Sequence, residues 1–196
     1  MRQEIEAKLK IDSTEQIAIL LAESGAKLQG QSVQTDCYFD DARRSLAGAD
    51  SALRLRRQQS SDKQETVLTF KGPREKSRLK RRNEIQVRLE DPEAAQGLLE
   101  ALGFEKKIVF QKRRQLWQLG GCEVALDELP LLGAFVEIEG PDEAGITRVQ
   151  EELKLGHLPH IPHSYLALMQ EELARLGIET KQVLFSPQAQ TDCQEL

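Results

Sequence analysis

Glu4, Glu6 and Lys8 alternate with Ile5, Ala7 and Leu9 in the first nine residues. On a strand, successive side chains point to opposite faces, so one face here carries only charge and the other only apolar groups. Two neighbouring carboxylates repel unless a positive charge sits between them. Lys8 supplies one such charge. A divalent metal bound through oxygen would supply another. The chemistry in view is the binding of a metal, an anion, or both together.

The same alternation recurs along the chain. Arg54 and Arg56 lie opposite Leu53 and Leu55, and Thr69 shares a face with Lys71. Arg82, Glu84, Gln86 and Arg88 lie opposite Ile85, Val87 and Leu89. Lys112 pairs with Arg114 on one face, Asp127 lies opposite Val124 and Leu126, and Glu137 and Glu139 lie opposite Val136 and Ile138. Any one of these strands reads as the wet face of an antiparallel sheet. Wet faces usually mix Thr, Ser, Gln and Lys, whereas these are charged almost throughout.

Seven cations (Lys8, Arg54, Arg56, Lys71, Arg82, Lys112, Arg114) accompany six carboxylates (Glu4, Glu6, Glu84, Asp127, Glu137, Glu139). Turned inward in a closed sheet, they give a lumen that is nearly neutral when empty. A triphosphate brings about −4 near neutral pH, and two divalent cations bring roughly +4. The loaded lumen balances as well. Carboxylates suit hard cations, and Arg and Lys suit phosphate oxygens.

Period and punctuation place the elements that must position these groups. Residues 1–11 read as a strand. Asp12 and Ser13 cap a helix with Ile17, Leu20, Leu21 and Ser24 at helical spacing, closed by Gly25. Strands follow at 33–39, 52–58, 65–71 and 81–89, with a polar loop up to Asp50 and a basic loop over 74–80. Asp91-Pro92 starts a helix with Ala95, Leu98, Leu99 and Leu102 as its apolar stripe, ending at Gly103. Strands at 108–119 and 123–127 join through a Gly120-Gly121 hairpin turn. A strand at 134–139 and helices at 142–155 and 163–176 complete the set. No linker divides the chain, so 1–180 reads as one domain and 181–196 as a flexible polar tail. A weak repeat relates Glu4-Ile5-Glu6-Ala7-Lys8 to Glu84-Ile85-Gln86-Val87-Arg88, and Thr69-Phe70-Lys71-Gly72-Pro73 to Glu137-Ile138-Glu139-Gly140-Pro141. Two similar halves closing into one barrel would produce it.

Bulk properties narrow the function classes. A chain of 196 residues with 39% hydrophobic and 30% charged content supports a folded domain. A net charge of −5 argues against general nucleic-acid binding. No apolar run spans a bilayer, and the charged start is unlike a signal peptide. Cys37, Cys122 and Cys193 are widely spaced, as in a reduced cytoplasmic protein. No Walker or Rossmann glycine motif is present. His157, His160 and His163 recur every third residue around Pro159 and Pro162, which reads as a solvent loop rather than a zinc site. Trp117 falls on the face opposite Lys112 and Arg114, as a core residue under a helix would. Tyr165 reads as a packed helix residue.

Taken in order, these segments resemble the CYTH superfamily, the triphosphate tunnel metalloenzymes, and most of all its class IV adenylyl cyclase-like branch. The resemblance rests on Glu4-x-Glu6-x-Lys8, Leu53-Arg54-Leu55-Arg56, Phe70-Lys71-Gly72, Arg82-x-Glu84, Lys112-x-Arg114, Leu126-Asp127, Leu132-Gly133-x-Phe135-x-Glu137-Ile138-Glu139 and Ser164-Tyr165. It runs from Glu4 to about Met169. It implies an α+β fold, an eight-stranded antiparallel closed barrel with helices packed outside. It implies that Glu4, Glu6, Glu84, Asp127, Glu137 and Glu139 hold Mg²⁺ or Mn²⁺, two ions in all. Lys8, Arg54, Arg56, Lys71, Arg82, Lys112 and Arg114 would hold the triphosphate, with Glu4, Glu6 and Lys8 closest to the chemistry. Gln86 departs from the family pattern, which often has a second acid there. The partner implied is a small-molecule triphosphate, with no nucleic acid and no membrane, and members often form homodimers. Metal-dependent triphosphate hydrolysis is favoured over cyclisation of ATP, with a non-catalytic polyphosphate-binding module as the third alternative.

Overall fold

The alternating strands pair edge to edge until the sheet closes on itself. The computed structural model describes residues 2–75 and 79–186, without the side chains of Arg2, Gln3 and Lys80. In chain order the elements are β1 (Arg2–Lys10), α1 (Thr14–Glu23), β2 (Lys27–Asp40), α2 (Ser45–Gly48), β3 (Ala52–Gln59), β4 (Gln64–Arg74) and β5 (Lys80–Leu89). There follow α3 (Pro92–Ala101), β6 (Glu105–Leu119), β7 (Cys122–Leu129), β8 (Gly133–Glu139), α4 (Glu143–Glu152), α5 (Tyr165–Leu176) and β9 (Gln182–Val183). The sheet runs β2-β3-β4-β5-β1-β8-β7-β6, and β6 pairs back onto β2. The result is the closed eight-stranded antiparallel barrel with outer helices that the resemblance implies. The element order β1–α1–β2–β3–β4 recurs as β5–α3–β6–β7–β8, so the two repeat halves each supply half of the barrel.

Most of the apolar core lies outside the barrel. Leu9 of β1, Val124 and Leu126 of β7, and Val136 and Ile138 of β8 are buried under Ile17 and Leu21 of α1 and Ile146 and Val149 of α4. Trp117 joins this cluster, as expected. A smaller cluster puts Leu99 of α3 against Phe39, Leu53 and Leu55. A third packs Tyr165, Met169 and Leu173 of α5 against Tyr38, Phe110 and Phe135, which share their strand faces with Asp36, Lys112 and Glu137 and so lie on the inner side of the barrel. Each such side chain, fully buried, contributes about 1.5–3 kcal/mol. The rest of the inner face is left to charged groups.

The helix starts are fixed by side-chain caps. Ser13, Asp91, Asp142 and Ser164 each accept a hydrogen bond from a first-turn N–H of α1, α3, α4 and α5. Gly177 ends α5 at φ +66°, a left-handed conformation in which other residues are strained. Gly120 and Gly121 have φ of 57° and 82°, the hairpin geometry expected between β6 and β7.

Some elements exceed their expected bounds. β2 begins at Lys27 and β6 at Glu105 because the two pair along their whole length. Most of the first half of β2 is exposed, so no apolar alternation marks it. The short α2 interrupts the expected polar loop, with Asp40 accepting from the N–H groups of Leu46 and Ala47. Within the segment expected as a tail, β9 pairs in parallel with Val109 and Phe110 of β6, and residues 187–196 lie outside the described residues. Cys37 and Cys122 are free thiols. Cys193 lies outside the described residues. Among the described residues no helix is long and apolar enough to cross a membrane.

Candidate active site

The inner faces of the strands bring the charged residues together. β1 lies between β5 and β8, so its charges meet those of both neighbours. In register, Glu4 faces Arg82, Lys8 faces Glu137, and Glu6 stands between Lys80 and Glu139. Glu6 and Glu139 are thus two carboxylates directly across from each other, an arrangement that favours a cation nearby. From β4, next to β5, Lys71 pairs with its cross-strand neighbour Glu84 and reaches Glu4 of β1 at 3.4 Å. Gln86 donates to Glu84 at 3.0 Å, a bond that an ionised acid in its place could not make.

Two aspartates are held differently. Asp36 of β2 faces Arg56 of β3 in register. Its two oxygens accept from Arg56 Nε and Nη2 at 2.6 and 2.7 Å, and Arg54 Nη1 lies 3.8 Å away. Asp127 of β7 faces Arg114 of β6. It is fully buried, and Arg114 Nε and Nη2, Lys112 Nζ and the Tyr165 hydroxyl donate to it at 2.7, 2.5, 3.1 and 2.9 Å. Arg114 also donates to Glu137, and Lys8 Nζ lies 3.3 Å from Glu137 and 3.0 Å from the His163 carbonyl that accepts from it.

Burial and charge shape the ionisation of this lumen. Burial alone would raise the carboxyl of Asp36, but Arg56 and Arg54 outweigh it and hold it well below the usual carboxylate range. The same balance, set by Arg114 and Lys112, lowers Asp127. Burial also opposes ionisation of Glu84, yet the charges of Lys71 and Arg54 beside it pull it down to about 2. The Lys71 ammonium lies against both Glu4 and Glu84, so the two carboxyls share one positive charge. Burial, reinforced by the charge of Arg114, draws Lys112 down to about 7. Burial and Asp127 push the Tyr165 phenol well above its ordinary value, so it remains a donor.

Two donors inside the lumen lack an acceptor among the described residues. Arg54 Nε and Arg82 Nε are both buried and have no hydrogen-bond partner among the described residues. The Arg54 side chain is otherwise tied only loosely, to Thr69 Oγ1 at 3.4 Å and to Asp36. Arg82 approaches Asp50 at 3.9 Å. Buried guanidinium groups left in this state are suited to an incoming anion.

Each sequence-predicted site residue projects from the barrel strand and face expected of it, and contacts link most of them into three groups. Lys71 joins Glu4 to Glu84; Asp36 joins Arg54 to Arg56; Asp127 and Glu137 join Lys8, Lys112 and Arg114. Among the described residues no three His, Cys, Asp or Glu side chains converge closely enough to hold a metal as they stand. Asp36 was not among the sequence candidates. Its signal was available, since it alternates with Gln34 and Tyr38 within a strand already placed at 33–39. The link from Tyr165 to Asp127 had no such signal, because it depends on how α5 packs. In the histidine loop His157 and His163 are exposed, and His160 pairs with Gln150.

Known proteins resemble this chain in sequence and fold. The family model described as the CYTH domain matches residues 2–165. A Methanocaldococcus jannaschii protein provisionally named an adenylate cyclase is 32% identical over 69% of this chain and 75% of its own length. The adenylate cyclase CyaB of Aeromonas hydrophila is 29% identical over 78% of each chain. The solved structure of the PH1819 protein from Pyrococcus horikoshii superposes with a TM-score of 0.75 at 28% identity, covering 86% of this chain and 99% of that one.

Proposed function

Because the chain belongs to the CYTH family, we propose that its lumen binds a triphosphate together with divalent metal and cleaves a P–O–P bond by hydrolysis. The observation that carries this reading is the pair of buried donors without acceptors, Arg54 Nε and Arg82 Nε. A buried polar group left unpaired costs about 1–3 kcal/mol. Phosphate oxygens would remove that cost.

Lys8, Arg54, Arg56, Lys71, Arg82, Lys112 and Arg114 bind the triphosphate oxygens. Arg56 and Arg114 come already oriented by Asp36 and Asp127, so little ordering remains when the anion arrives. Glu4, Glu6, Glu84, Glu137 and Glu139 are the metal-side groups, an all-oxygen set that fits Mg²⁺ or Mn²⁺. The approach of Glu4 to Glu84 around the Lys71 ammonium marks a place where positive charge is already required. Asp127, included among the metal ligands by resemblance, is saturated by Arg114, Lys112 and Tyr165. We therefore give it, with Asp36, the task of holding cations in place.

The metal, when bound, offsets charge that develops on the phosphate oxygens. Glu4 or Glu6 accepts the proton of the attacking water. The lysines and arginines stabilise the departing phosphate. Hydrolysis is favoured because seven cationic side chains capture a bare triphosphate without needing a nucleoside. The names of the two relatives favour a second reading, in which a ribose 3′-hydroxyl attacks the α-phosphate of ATP and pyrophosphate leaves.

Product analysis separates the readings. With Mg²⁺ or Mn²⁺, orthophosphate from tripolyphosphate is the expected outcome. Cyclic AMP with pyrophosphate from ATP would establish the cyclase. Tight tripolyphosphate binding without turnover would leave a binding module.

A further inference from the structure

Tyr165 opens α5 directly after the Ser164 cap, at the end of the loop that carries His163. One side of its ring belongs to the apolar cluster, with Phe135 edge-on at 5.3 Å and Met169 alongside. The ring and hydroxyl also meet the charged lumen. The Lys8 ammonium sits 3.9 Å from the ring centroid and the Lys112 ammonium 5.1 Å from it. The hydroxyl donates to Asp127 Oδ2 at 2.9 Å, the same oxygen that Lys112 and Arg114 donate to.

These contacts answer a physical difficulty. Lys8, Lys112 and Arg114 bring three positive charges to one end of a buried lumen, where they repel one another. Asp127 and Glu137 offset part of that charge. The π face of a tyrosine attracts ammonium groups without adding a carboxylate that would compete with phosphate. Lysine stems are flexible, and ordering them is costly. Ordering done during folding no longer weighs against ligand binding. A leucine or methionine could fill the volume, but it could neither attract an ammonium nor donate to Asp127.

We propose that Tyr165 is a positioning residue of the tunnel, holding Lys8 and Lys112 on its ring and Asp127 on its hydroxyl, so that three anion-facing cations are in place before the anion arrives. This rests on the triphosphate reading above and adds to it a residue outside the barrel strands. It also gives α5 a role in binding, because the helix sets where the ring lies.

The test uses the full-length protein with tripolyphosphate in the absence of metal, followed by calorimetry, together with Y165F and Y165L. Y165L is expected to bind about tenfold more weakly, with KM for tripolyphosphate rising in parallel in the metal-loaded assay. Y165F keeps the ring and should stay within about threefold of the unmutated protein. A merely structural residue would lower the Tm of Y165L and leave the Kd of the folded protein unchanged, and that result would overturn the proposal. A readout that needs no variant is the Lys8 ε-methylene proton shift in the unmutated protein. An upfield ring-current displacement is expected, and its absence would overturn the proposal. Unmutated protein that binds no tripolyphosphate would overturn the triphosphate reading and this proposal with it. Normal binding by the unmutated protein and by Y165L alike would overturn this proposal alone.

Discussion

Asp127 on the β7 wall and Glu84 on the β5 wall are both buried carboxylates of one lumen, yet they are held in opposite ways. Asp127 faces an arginine in register, and its short side chain lets both oxygens meet that guanidinium. Asp36 repeats the arrangement with Arg56 on the adjoining strands, because β2 pairs directly with β6. Glu84 faces a lysine instead, and so does Glu137. An arginine fork fixes its carboxylate in a plane, whereas an ammonium is a point charge on a flexible stem. A metal ion can replace the lysine beside a glutamate far more easily than the arginine clamped to an aspartate. The difference divides the lumen into a rigid part that presents cations and an exchangeable part that can take up metal.

Mutations on the two walls should therefore fail differently. Glu139→Ala is expected to lower turnover about a thousandfold or more while the Tm stays close to that of the unmutated protein, checked by phosphate release and thermal melting. Glu4→Ala should behave in the same way. Near-native activity in either variant would remove the glutamate wall from the chemistry. Asp127→Ala should act first on stability. It leaves Lys112 and Arg114 buried without their shared partner, a loss of about 3–5 kcal/mol that urea unfolding would measure. An Asp127→Ala protein as stable as the original would break the distinction between the walls.

Acid should expose the same division. Asp36, Asp127 and Glu84 all have folded-state carboxyls held below their unfolded values, by Arg56 and Arg54, by Arg114 and Lys112, and by Lys71 and Arg54, against the opposing effect of burial. Each contributes stability that is fully present above an unfolded value of about 4 and is lost as pH falls through the folded value. The free energy of unfolding is expected to fall steeply only below about pH 4, and Asp127→Ala should make that fall shallower. Lys112 acts at the other end of the range. Its folded value is drawn down to about 7 by burial and Arg114, so the unfolded chain binds more protons above that pH and this contribution to stability rises with pH. The smallest effect should come from Gln86→Glu. It replaces a donor to Glu84 with a second acid, and a decrease of roughly threefold in the metal concentration for half-maximal activity is expected, with little change in Tm.

Much of this was legible in the alternation of single strands. β1, β3, β5 and β8 declare one charged face and one apolar face, and a cap residue followed by a regular apolar stripe declares α1 and α3. The inward turn of the charge followed from its density, because no wet surface needs so many lysines, arginines and glutamates in alternate positions. What stayed hidden depends on partners distant in sequence. Residues 27–32 form a strand because β6 pairs with them, not because of their own pattern. β9 exists only as an addition to the edge of β6 at Val109 and Phe110. The fate of Asp127 turns on a cross-strand register with Arg114 and on the packing of α5, neither of which a local pattern encodes. The motif around Leu126-Asp127 therefore signals that the residue matters without revealing what it touches.

The division between the walls is tested most directly by locating the metal. Crystals grown with Mn²⁺ and tripolyphosphate should show anomalous scattering peaks within about 2.0–2.6 Å of carboxylate oxygens of Glu4, Glu6, Glu84, Glu137 or Glu139, with Asp36 and Asp127 still bound to their arginines. A manganese peak coordinated by Asp127 or Asp36, with the arginine displaced, would contradict the account.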